Sequence, residues 1–402
     1  MKNIYLDYAA TTPIDKCVYR AMKPYLSCKK GFFGNPNSLH RDGQKALTAL
    51  DKARDLIAQS ITANHNDIIF TGSATEANNL IIRGTLKAYF RNRASCKIIP
   101  EIIISSIEHP SIVETVKDLE KDGSAKIHYL SVTKEGVVNL EEIKKALNEN
   151  TILVSIMWVN NETGAIQPIS KIGEIINDFK NSHPSTPPSP YPMFHTDATQ
   201  AFQFFDLNVI KSGVDAMTFS AHKIYGPKGV GCLYVNNNQS STLNSQLLKP
   251  LITGGGQERG MRSGTENVAG IVGLAKAVEL CQKERKKEYE RQENLLRDFF
   301  NQLKRVVHDV EINGAFENKA PHILNLFIPH LKRPSIAFDA AGLSVSTGSA
   351  CAGRRVEPSH VLRAMGYDDE RISRSVRISI GRPTTKGELM VAVKKITYMA
   401  GA

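Results

Sequence analysis

The chain has 402 residues, of which 41% are hydrophobic and 23% charged, and its formal net charge is +11. This length predicts two domains, and the composition is that of an ordinary globular protein. No apolar stretch approaches the ~20 residues that span a bilayer, and the N-terminal residues lack the apolar core of a signal peptide. The sequence therefore argues against a membrane-spanning helix and predicts a cytoplasmic protein.

The cysteines and the positive charge exclude further classes. The six cysteines are scattered and form no CxxC pair, which indicates reduced thiols and neither a disulfide framework nor a metal site. Much of the positive charge lies in mixed-sign segments such as 283–288, which are typical of a solvated helix face. We therefore do not expect direct nucleic-acid binding, whereas a basic surface would suit an acidic protein partner.

Strands and helices alternate along the first 235 residues. Short apolar runs predict strands at 68–70, 101–106, 152–158, 193–197, 216–220 and 231–235. Helical patterns occupy the stretch that ends near residue 91 and the segment 140–148. This alternation predicts an α/β fold with a mainly parallel sheet covered by helices.

The regular alternation of strands and helices is interrupted in the second half of the chain. Five prolines between 184 and 192 predict an exposed loop before the strand at 193–197. The pattern from about 267 to 305 predicts one long helix or a broken pair, which would link a large domain to a C-terminal one. From about residue 306, short strands and helices alternate and indicate a smaller α+β domain.

Polar residues follow the predicted strands, at the sheet edge where ligands of α/β proteins bind. Lys223 follows one strand within Ser220-Ala221-His222-Lys223. A desolvated lysine is a nucleophile that captures carbonyl cofactors such as pyridoxal 5′-phosphate (PLP) as a Schiff base, although an ordinary surface lysine is the alternative. Asp197 ends the strand before it, and a carboxylate beside the pyridine nitrogen of PLP keeps that nitrogen protonated.

Weaker signals come from other turns. The small residues around Thr75 would let a helix N-terminus face a phosphate, although any capped βα turn looks similar. His109 is suited to stacking or proton movement, or is a hydrogen-bonded loop histidine. Asn161 would bind a ligand oxygen or cap a turn. The glycine-rich loop at 254–267 lacks the spacings of nucleotide-binding loops and would approach a phosphate or a neighbouring subunit.

Two residues near the C-terminus stand out. Cys351 lies among small residues with Arg354 and Arg355 nearby, a setting that favours an accessible thiol of lowered pKa. Arg377 lies inside a strand-like run, and an interior guanidinium favours a carboxylate partner such as that of a substrate.

Together these motifs resemble the PLP-dependent cysteine desulfurases of the NifS/IscS kind. The resemblance runs from Tyr5-Leu6-Asp7-Tyr8 to Gly381-Arg382-Pro383. It implies a fold-type I PLP enzyme, active as a homodimer, with a seven-stranded type of sheet in the large domain. It also implies a large domain at 15–257 and a small domain formed by 1–14 and 258–402.

The resemblance also implies residue roles. Lys223 would hold PLP, Asp197 would pair with its pyridine nitrogen, and Gln200 would bind its phenolic oxygen. His109 would stack on the ring and take part in proton transfer. The remaining cofactor-binding residues would be Ala74, Thr75, Asn161, Ser220 and His222, joined by Thr265 of the partner subunit.

The implied reaction converts L-cysteine to L-alanine. Asn161 and Arg377 would bind the substrate carboxylate, and Cys351 would take the sulfur as a persulfide for a sulfur-acceptor protein of iron–sulfur assembly or of tRNA or cofactor thiolation. A selenocysteine lyase or another fold-type I lyase is the alternative. A non-catalytic scaffold is disfavoured because the lysine, aspartate and cysteine are all present.

Overall fold

The computed structural model describes residues 3–28, 32–92, 98–183, 191–236, 247–331, 333–347 and 358–401. The strands are β1 (Ile4–Tyr5), β2 (Ile68–Thr71), β3 (Glu101–Ser105), β4 (Lys126–Leu130), β5 (Thr151–Ser155), β6 (Met193–Asp197), β7 (Ala216–Ser220), β8 (Gly231–Val235), β9 (Glu311–Ile312), β10 (Ile323–Phe327), β11 (Leu343–Ser344) and β12 (Ser375–Ser379).

Helices alternate with these strands along the described residues. They are α1 (Lys16–Met22), α2 (Arg41–Ser60), α3 (Ala74–Asn92), α4 (Pro110–Lys121), α5 (Leu140–Ala146), α6 (Ile169–Ser182), α7 (Val209–Ser212), α8 (Val268–Val306), α9 (Pro334–Ala340), α10 (His360–Ala364), α11 (Asp369–Ser373) and α12 (Lys386–Ala400).

A large sheet organises residues 68–235. Within the described ranges it has seven strands in the order β2-β8-β7-β6-β5-β3-β4. Neighbouring strands from β7 across to β4 pair in parallel, and β8 runs antiparallel to both β7 and β2. Every strand except β8 therefore points the same way, and their carboxyl ends share one edge. The predicted α/β fold with a mainly parallel sheet is confirmed.

Helices cover both faces of this sheet, which explains the apolar strand sequences. Alternate strand residues serve opposite cores: Phe194 and Met217 pack with α2, α6 and α8, whereas Met193 and Ala216 pack with α3 and α4. Because all residues of β3 and β5–β8 are buried, apolar residues follow one another in these strands instead of alternating strictly with polar ones.

The C-terminal residues build a separate core. β12, β10 and β9 form a three-stranded antiparallel sheet, and β1 pairs in parallel with β11. Ile4 and Leu6 therefore pack in the C-terminal core. The long α8 is a single helix that contributes Leu274 to the core of the large sheet and Phe299 to the C-terminal one. The division predicted from the sequence, with a large domain at 15–257, stays a prediction.

Some predicted boundaries were wrong. The strand expected at 152–158 ends at Ser155. Beyond it Met157 donates its N–H to the Glu108 carboxyl, while the Trp158 N–H still donates to the Asp197 carbonyl at the end of β6. The helix expected at 140–148 ends at Ala146. Most of the proline-rich loop lies outside the described residues. In the part of the chain that the structure describes, no helix is both long and apolar enough to cross a bilayer.

Candidate active site

A cavity of about 190 Å³ opens at the carboxyl edge of the large sheet. Its walls come from strand ends, helix N-termini and the N-terminal segment. They are lined by Ala9, Ser73, Ala74, Thr75, His109, Ser111, Met157, Val159, Asn161, Asp197, Thr199, Gln200, His222, Lys223 and Arg377. Nine of the residues that the sequence singled out therefore meet in one place.

Lys223 enters the cavity from a 3-10 turn that directly follows β7. Its Nζ donates to the carbonyl oxygens of Ala9 at 2.6 Å and Ala10 at 2.7 Å. Thr12 fixes this arrangement, because both its N–H and its hydroxyl donate to the His222 carbonyl at 2.9 Å. The amine is thus held in place by the backbone of the N-terminal segment, which is far from Lys223 in the sequence.

The His222 imidazole lies beside the lysine and carries no charge at neutral pH. Burial, together with the positive charges of Lys223 and Lys228, lowers its pKa to about 4. Its Nδ1 lies 3.1 Å from the Thr11 hydroxyl, which can donate to the neutral ring.

Asp197 ends β6 and is buried against the cavity, with 6% of its surface exposed. Its Oδ1 accepts from the Thr199 N–H at 2.9 Å, and its Oδ2 accepts from Asn78 Nδ2 at 2.8 Å. Both donors are neutral, and no described residue forms a salt bridge with Asp197. A carboxylate held in this way keeps its negative charge available to a cationic ligand.

Gln200 lies one turn beyond Asp197. Its Nε2 donates to the Ala9 carbonyl at 2.9 Å, and its Oε1 lies 3.2 Å from His322 Nε2. An amide nitrogen carries two protons, so one remains for a ligand oxygen.

His109 is the N-cap of α4, where its Nδ1 accepts from the Ser111 N–H at 3.1 Å. Burial lowers its pKa most strongly; the nearby Lys223, His360 and Arg377 act in the same direction, and Asp197 opposes them. The ring in the cavity is therefore uncharged at neutral pH.

The neighbouring carboxyl of Glu108 is fully buried. Burial raises its pKa to about 8, although hydrogen bonds from the Ser105 hydroxyl and the Met157 N–H oppose the rise. Glu108 is therefore mainly protonated at neutral pH, and it positions the turn that carries His109.

Arg377 reaches the cavity from the middle of β12, and only 3% of its side chain is exposed. Its guanidinium donates to Asp7 Oδ1 at 2.7 Å and to the Asn161 carbonyl at 2.8 Å. Its Nε is buried without a hydrogen-bond partner among the described residues. The sequence predicted a carboxylate partner for this arginine, and Asp7 is one.

The N-terminus of α3 forms another wall. Ser73 Oγ accepts from the Glu76 N–H at 3.1 Å, and Ala74 and Thr75 open the helix against the cavity. This turn lies so close to β8 that a Cβ on Gly231 would be 2.4 Å from the Ser73 carbonyl carbon. Only glycine allows this approach, which brings the helix N-terminus to the sheet edge.

Three predicted site residues are not in the cavity. Ser220 Oγ donates to the Val230 carbonyl at 3.3 Å, at the end of β7 but outside the cavity lining. Thr265 lines a second cavity of about 120 Å³ beside Arg262 and Glu266. Cys351 lies outside the described residues.

Sequence reasoning missed several residues at the site. Asn78 and Ser111 hold Asp197 and His109, Asp7 pairs with Arg377, and His322 approaches Gln200 while stacking on Phe204 at 4.6 Å between ring centroids. Asn78 lies one helical turn beyond Ala74, a spacing that could have drawn attention to it. Nothing in the local sequence points to the others.

Comparisons with known proteins agree with this geometry. Residues 4–391 match the family described as aminotransferase class-V. The chain belongs to the class-V aminotransferase family. It is 42% identical over 390 residues to the cysteine desulfurase IscS of Dictyoglomus turgidum, covering 96% of this chain and 92% of that protein. It is 40% identical over 401 residues to the mitosomal cysteine desulfurase of Trachipleistophora hominis, covering 98% and 85%.

Solved structures show the same architecture. One of a NifS-like protein matches with a TM-score of 0.86 at 34% identity and covers 99% of both chains. Another, a NifS-like protein from Rickettsia africae, matches with a TM-score of 0.84 at 30% identity over the full length of both.

Class-V aminotransferases use PLP, and the cavity residues fit this cofactor. They provide an amine at Lys223, a buried carboxylate without a salt bridge among the described residues at Asp197, and a helix N-terminus at Ala74. The apolar side chains of Met157 and Val159 line the same space, as a flat ring requires. These are the groups that an aldehyde, a pyridinium nitrogen and a phosphate need.

Proposed function

We propose that the chain converts L-cysteine to L-alanine and transfers the sulfur to Cys351 as a persulfide. The observation that carries this proposal is the convergence of Lys223, Asp197 and Arg377 on one cavity. An amine, a buried carboxylate and an interior guanidinium are together suited to PLP and to an amino-acid substrate. The names of the relatives agree with a desulfurase and do not favour a selenocysteine lyase.

The cofactor would be held by groups of three kinds. Lys223 would bind it covalently, Asp197 would face the pyridine nitrogen, and Gln200 would donate to the phenolic oxygen. His109 would stack on the ring. The phosphate would lie against the α3 N-terminus at Ala74 and Thr75, near His222, with Ser220 supporting the turn. When bound, PLP supplies an electron sink for the charge that develops on the substrate carbon.

Arg377 would bind the substrate carboxylate. Its Nη atoms already hold Asp7 and the Asn161 carbonyl, which fixes the plane of the guanidinium before substrate arrives. The buried Nε and the remaining Nη protons can still donate. Asn161 lines the same wall and would donate to the carboxylate through its amide. A fixed pair of this kind orients the substrate.

Cys351 would receive the sulfur. Its thiolate attacks the substrate sulfur, an S–S bond forms, and the C–S bond of cysteine breaks. Cysteine and one thiol thus give alanine and one persulfide, and no external oxidant or reductant is needed. Among the described cysteines, burial raises the pKa of Cys232 and raises that of Cys281 to about 11, so neither is a ready nucleophile.

The active form would be a homodimer. Thr265 faces the second cavity and not the one with Lys223, so within one chain it does not contribute to that site. This position supports a role for Thr265 in the partner subunit's phosphate site. Delivery of the persulfide to a protein of iron–sulfur assembly or of tRNA or cofactor thiolation, and a cytoplasmic location, stay predictions.

Mass spectrometry of the Cys351 peptide after turnover tests the proposal. Full-length protein loaded with PLP and given L-cysteine should release alanine and gain one sulfur atom on Cys351. Cys351→Ser should abolish both, whereas Cys17→Ser and Cys28→Ser, which change exposed thiols, should abolish neither. Alanine release that persists in Cys351→Ser would contradict the proposed nucleophile.

Borohydride reduction tests the cofactor attachment separately. It should fix PLP to Lys223 in the wild type, and in Lys223→Ala no fixed cofactor should remain. Lys228→Ala is the matched control, because Lys228 is exposed five residues away and does not line the cavity. Cofactor fixed to any other lysine in the wild type would overturn the assignment.

A further inference from the structure

Asn78 connects two groups of the cavity that do not touch each other. It is fully buried in α3, and its Nδ2 lies 2.8 Å from Asp197 Oδ2 and 2.9 Å from Ser111 Oγ. Because a carboxylate only accepts hydrogen bonds, the amide nitrogen and not the oxygen must face Asp197. The orientation of the amide is therefore set, and both of its protons are used.

Ser111 links Asn78 to His109, and its donor and acceptor roles are fixed by Asn78. Its Oγ accepts from Asn78, so its own proton is left for His109 Nδ1 at 2.9 Å. The Ser111 backbone N–H donates to the same nitrogen at 3.1 Å. Nδ1 thus faces two donors and must present its lone pair.

The tautomer of His109 follows from this arrangement. A neutral imidazole carries one proton, and with Nδ1 accepting, that proton lies on Nε2. A proton on Nδ1 would break both bonds. In a doubly protonated ring it would also put positive charge at the N-terminus of α4, which is unfavourable. The titratable groups that face the ring are Lys223, His360 and Arg377, which lower its pKa, and Asp197, which opposes them; burial has the largest effect, and the ring is uncharged at neutral pH.

We propose that Asn78 and Ser111 are positioning residues that hold His109 as the Nε2–H tautomer, so that His109 donates a hydrogen bond to the bound substrate and does not act as a base. Nε2 has no hydrogen-bond partner among the described residues, so its proton is available. The tautomer is a property of the chain alone; only the donation to substrate rests on the proposed function. The resemblance implies that His109 takes part in proton transfer; the proposal limits its role to donating a hydrogen bond.

A donor fixed in this way is useful in catalysis. A neutral imidazole whose pKa is lowered at a helix N-terminus can stabilise developing negative charge without exchanging its proton. The buried Asn78 Oδ1 has no hydrogen-bond partner among the described residues. The amide thus keeps the orientation of the bridge although its oxygen is left unsatisfied, which is unfavourable for a buried polar atom.

Nitrogen-15 NMR of ring-labelled histidines tests the tautomer in the full-length protein, with and without PLP. The chain has 11 histidines, and loss of one signal pair in His109→Gln identifies the residue. We expect a protonated Nε2 and an unprotonated Nδ1 near neutral pH in both forms. An Nδ1–H ring or a doubly protonated ring in the wild type would overturn the proposal.

Variants of the bridge test its cause. Asn78→Ala and Ser111→Ala should each raise the Nδ1–H population about two- to tenfold, the range expected for one neutral hydrogen bond. Asn79→Ala is the matched control, because this adjacent asparagine of α3 bonds the Thr75 carbonyl, Arg83 and Thr115 and not the bridge. It should leave the tautomer unchanged, and equal shifts in all three variants would refute the bridge.

A rescue experiment tests donation to substrate. Glutamine can place an N–H near the position of Nε2, whereas asparagine preserves helix capping without this reach. We expect His109→Gln to retain at least about tenfold more kcat than His109→Asn, since one preorganised donor is worth about 10²–10³-fold. Equal kcat in the two variants would refute donation. Absence of alanine release by the wild type would instead refute the proposed function, and the NMR result would stand.

Discussion

Two buried carboxylates beside the large sheet are held in opposite ways. Glu258, in the glycine-rich loop, receives a bidentate ion pair from Arg54 at 2.7 and 2.8 Å and the Phe70 N–H at 2.9 Å. Asp197 accepts only from the neutral Asn78 and Thr199. The difference teaches that burial alone does not mark a functional group: the charge of Glu258 is neutralised within the fold, and that of Asp197 is left for a ligand.

The loop around Glu258 shows what its ion pair stabilises. Glu258 and Arg259 have φ values of 49° and 55°, a left-handed conformation that is unfavourable for residues with a side chain. Arg54 also stacks on Phe70 at 4.6 Å from the ring centroid. The ion pair thus fixes a strained loop that leads to Thr265. Asp197 lies at a regular strand end and fixes no strained backbone.

Asp197→Asn should have the largest effect on catalysis. It keeps the shape but removes the charge that would stabilise a protonated pyridine nitrogen. We expect kcat/KM for cysteine to fall about 10³-fold, as for loss of one key electrostatic group, with little change in the free energy of unfolding. Steady-state alanine release and chemical unfolding measure the two. If Asp197→Asn lowered the free energy of unfolding but kept the specific activity, Asp197 would have the structural role that is assigned to Glu258.

Glu258→Gln should show the reverse pattern. It leaves the guanidinium of Arg54 buried without its counter-charge, and breaking a buried pair destabilises a protein by roughly 3 kcal/mol or more. The free energy of unfolding should fall by about that amount, whereas kcat per folded molecule should change far less. Glu317→Gln is the control, because its ion pair with Arg297 is exposed and should not affect stability measurably.

Glu108→Gln should remove a pH dependence of stability. In the fold Glu108 keeps its proton to about pH 8, whereas its ordinary pKa is 4.5. Between these values the unfolded chain binds fewer protons than the folded one, so the free energy of unfolding falls as pH rises. From pH 6 to pH 7.5 the loss due to this group is about 2 kcal/mol at most, and Glu108→Gln should abolish it.

The control for this pH effect is Glu142→Gln. Hydrogen bonds from the Ser131 hydroxyl and N–H lower the pKa of Glu142, so it is ionised in both states across this range. Its removal should leave the slope of stability against pH unchanged. Chemical unfolding at both pH values measures the slopes, and a wild-type slope that survives Glu108→Gln would show that another group causes it.

The sequence was most informative where function coincides with strand ends. Asp197 and Lys223 follow buried apolar strands, so their positions on one edge could be derived from the alternation of strands and helices. The bridge through Asn78 and Ser111 could not, because it joins two helices whose relative placement depends on packing against the sheet. The Asp7 partner of Arg377 is 370 residues away in sequence. Contacts of this range leave no local pattern.

The smallest expected effects are those of removing two helix caps, one beside the cavity and one far from it. Ser73 caps α3 beside the cavity, and Thr385 caps α12 far from it; each hydroxyl accepts an N–H of the first turn, at 3.1 and 3.2 Å. Ser73→Ala and Thr385→Ala should each destabilise the fold by about 1 kcal/mol. Only Ser73→Ala should also weaken PLP binding, by a few-fold, because α3, unlike α12, directs its N-terminus at the cavity. The control ligand is pyridoxal, which lacks the phosphate and should bind the two variants equally. If PLP also bound both variants equally, the phosphate would not lie at the N-terminus of α3.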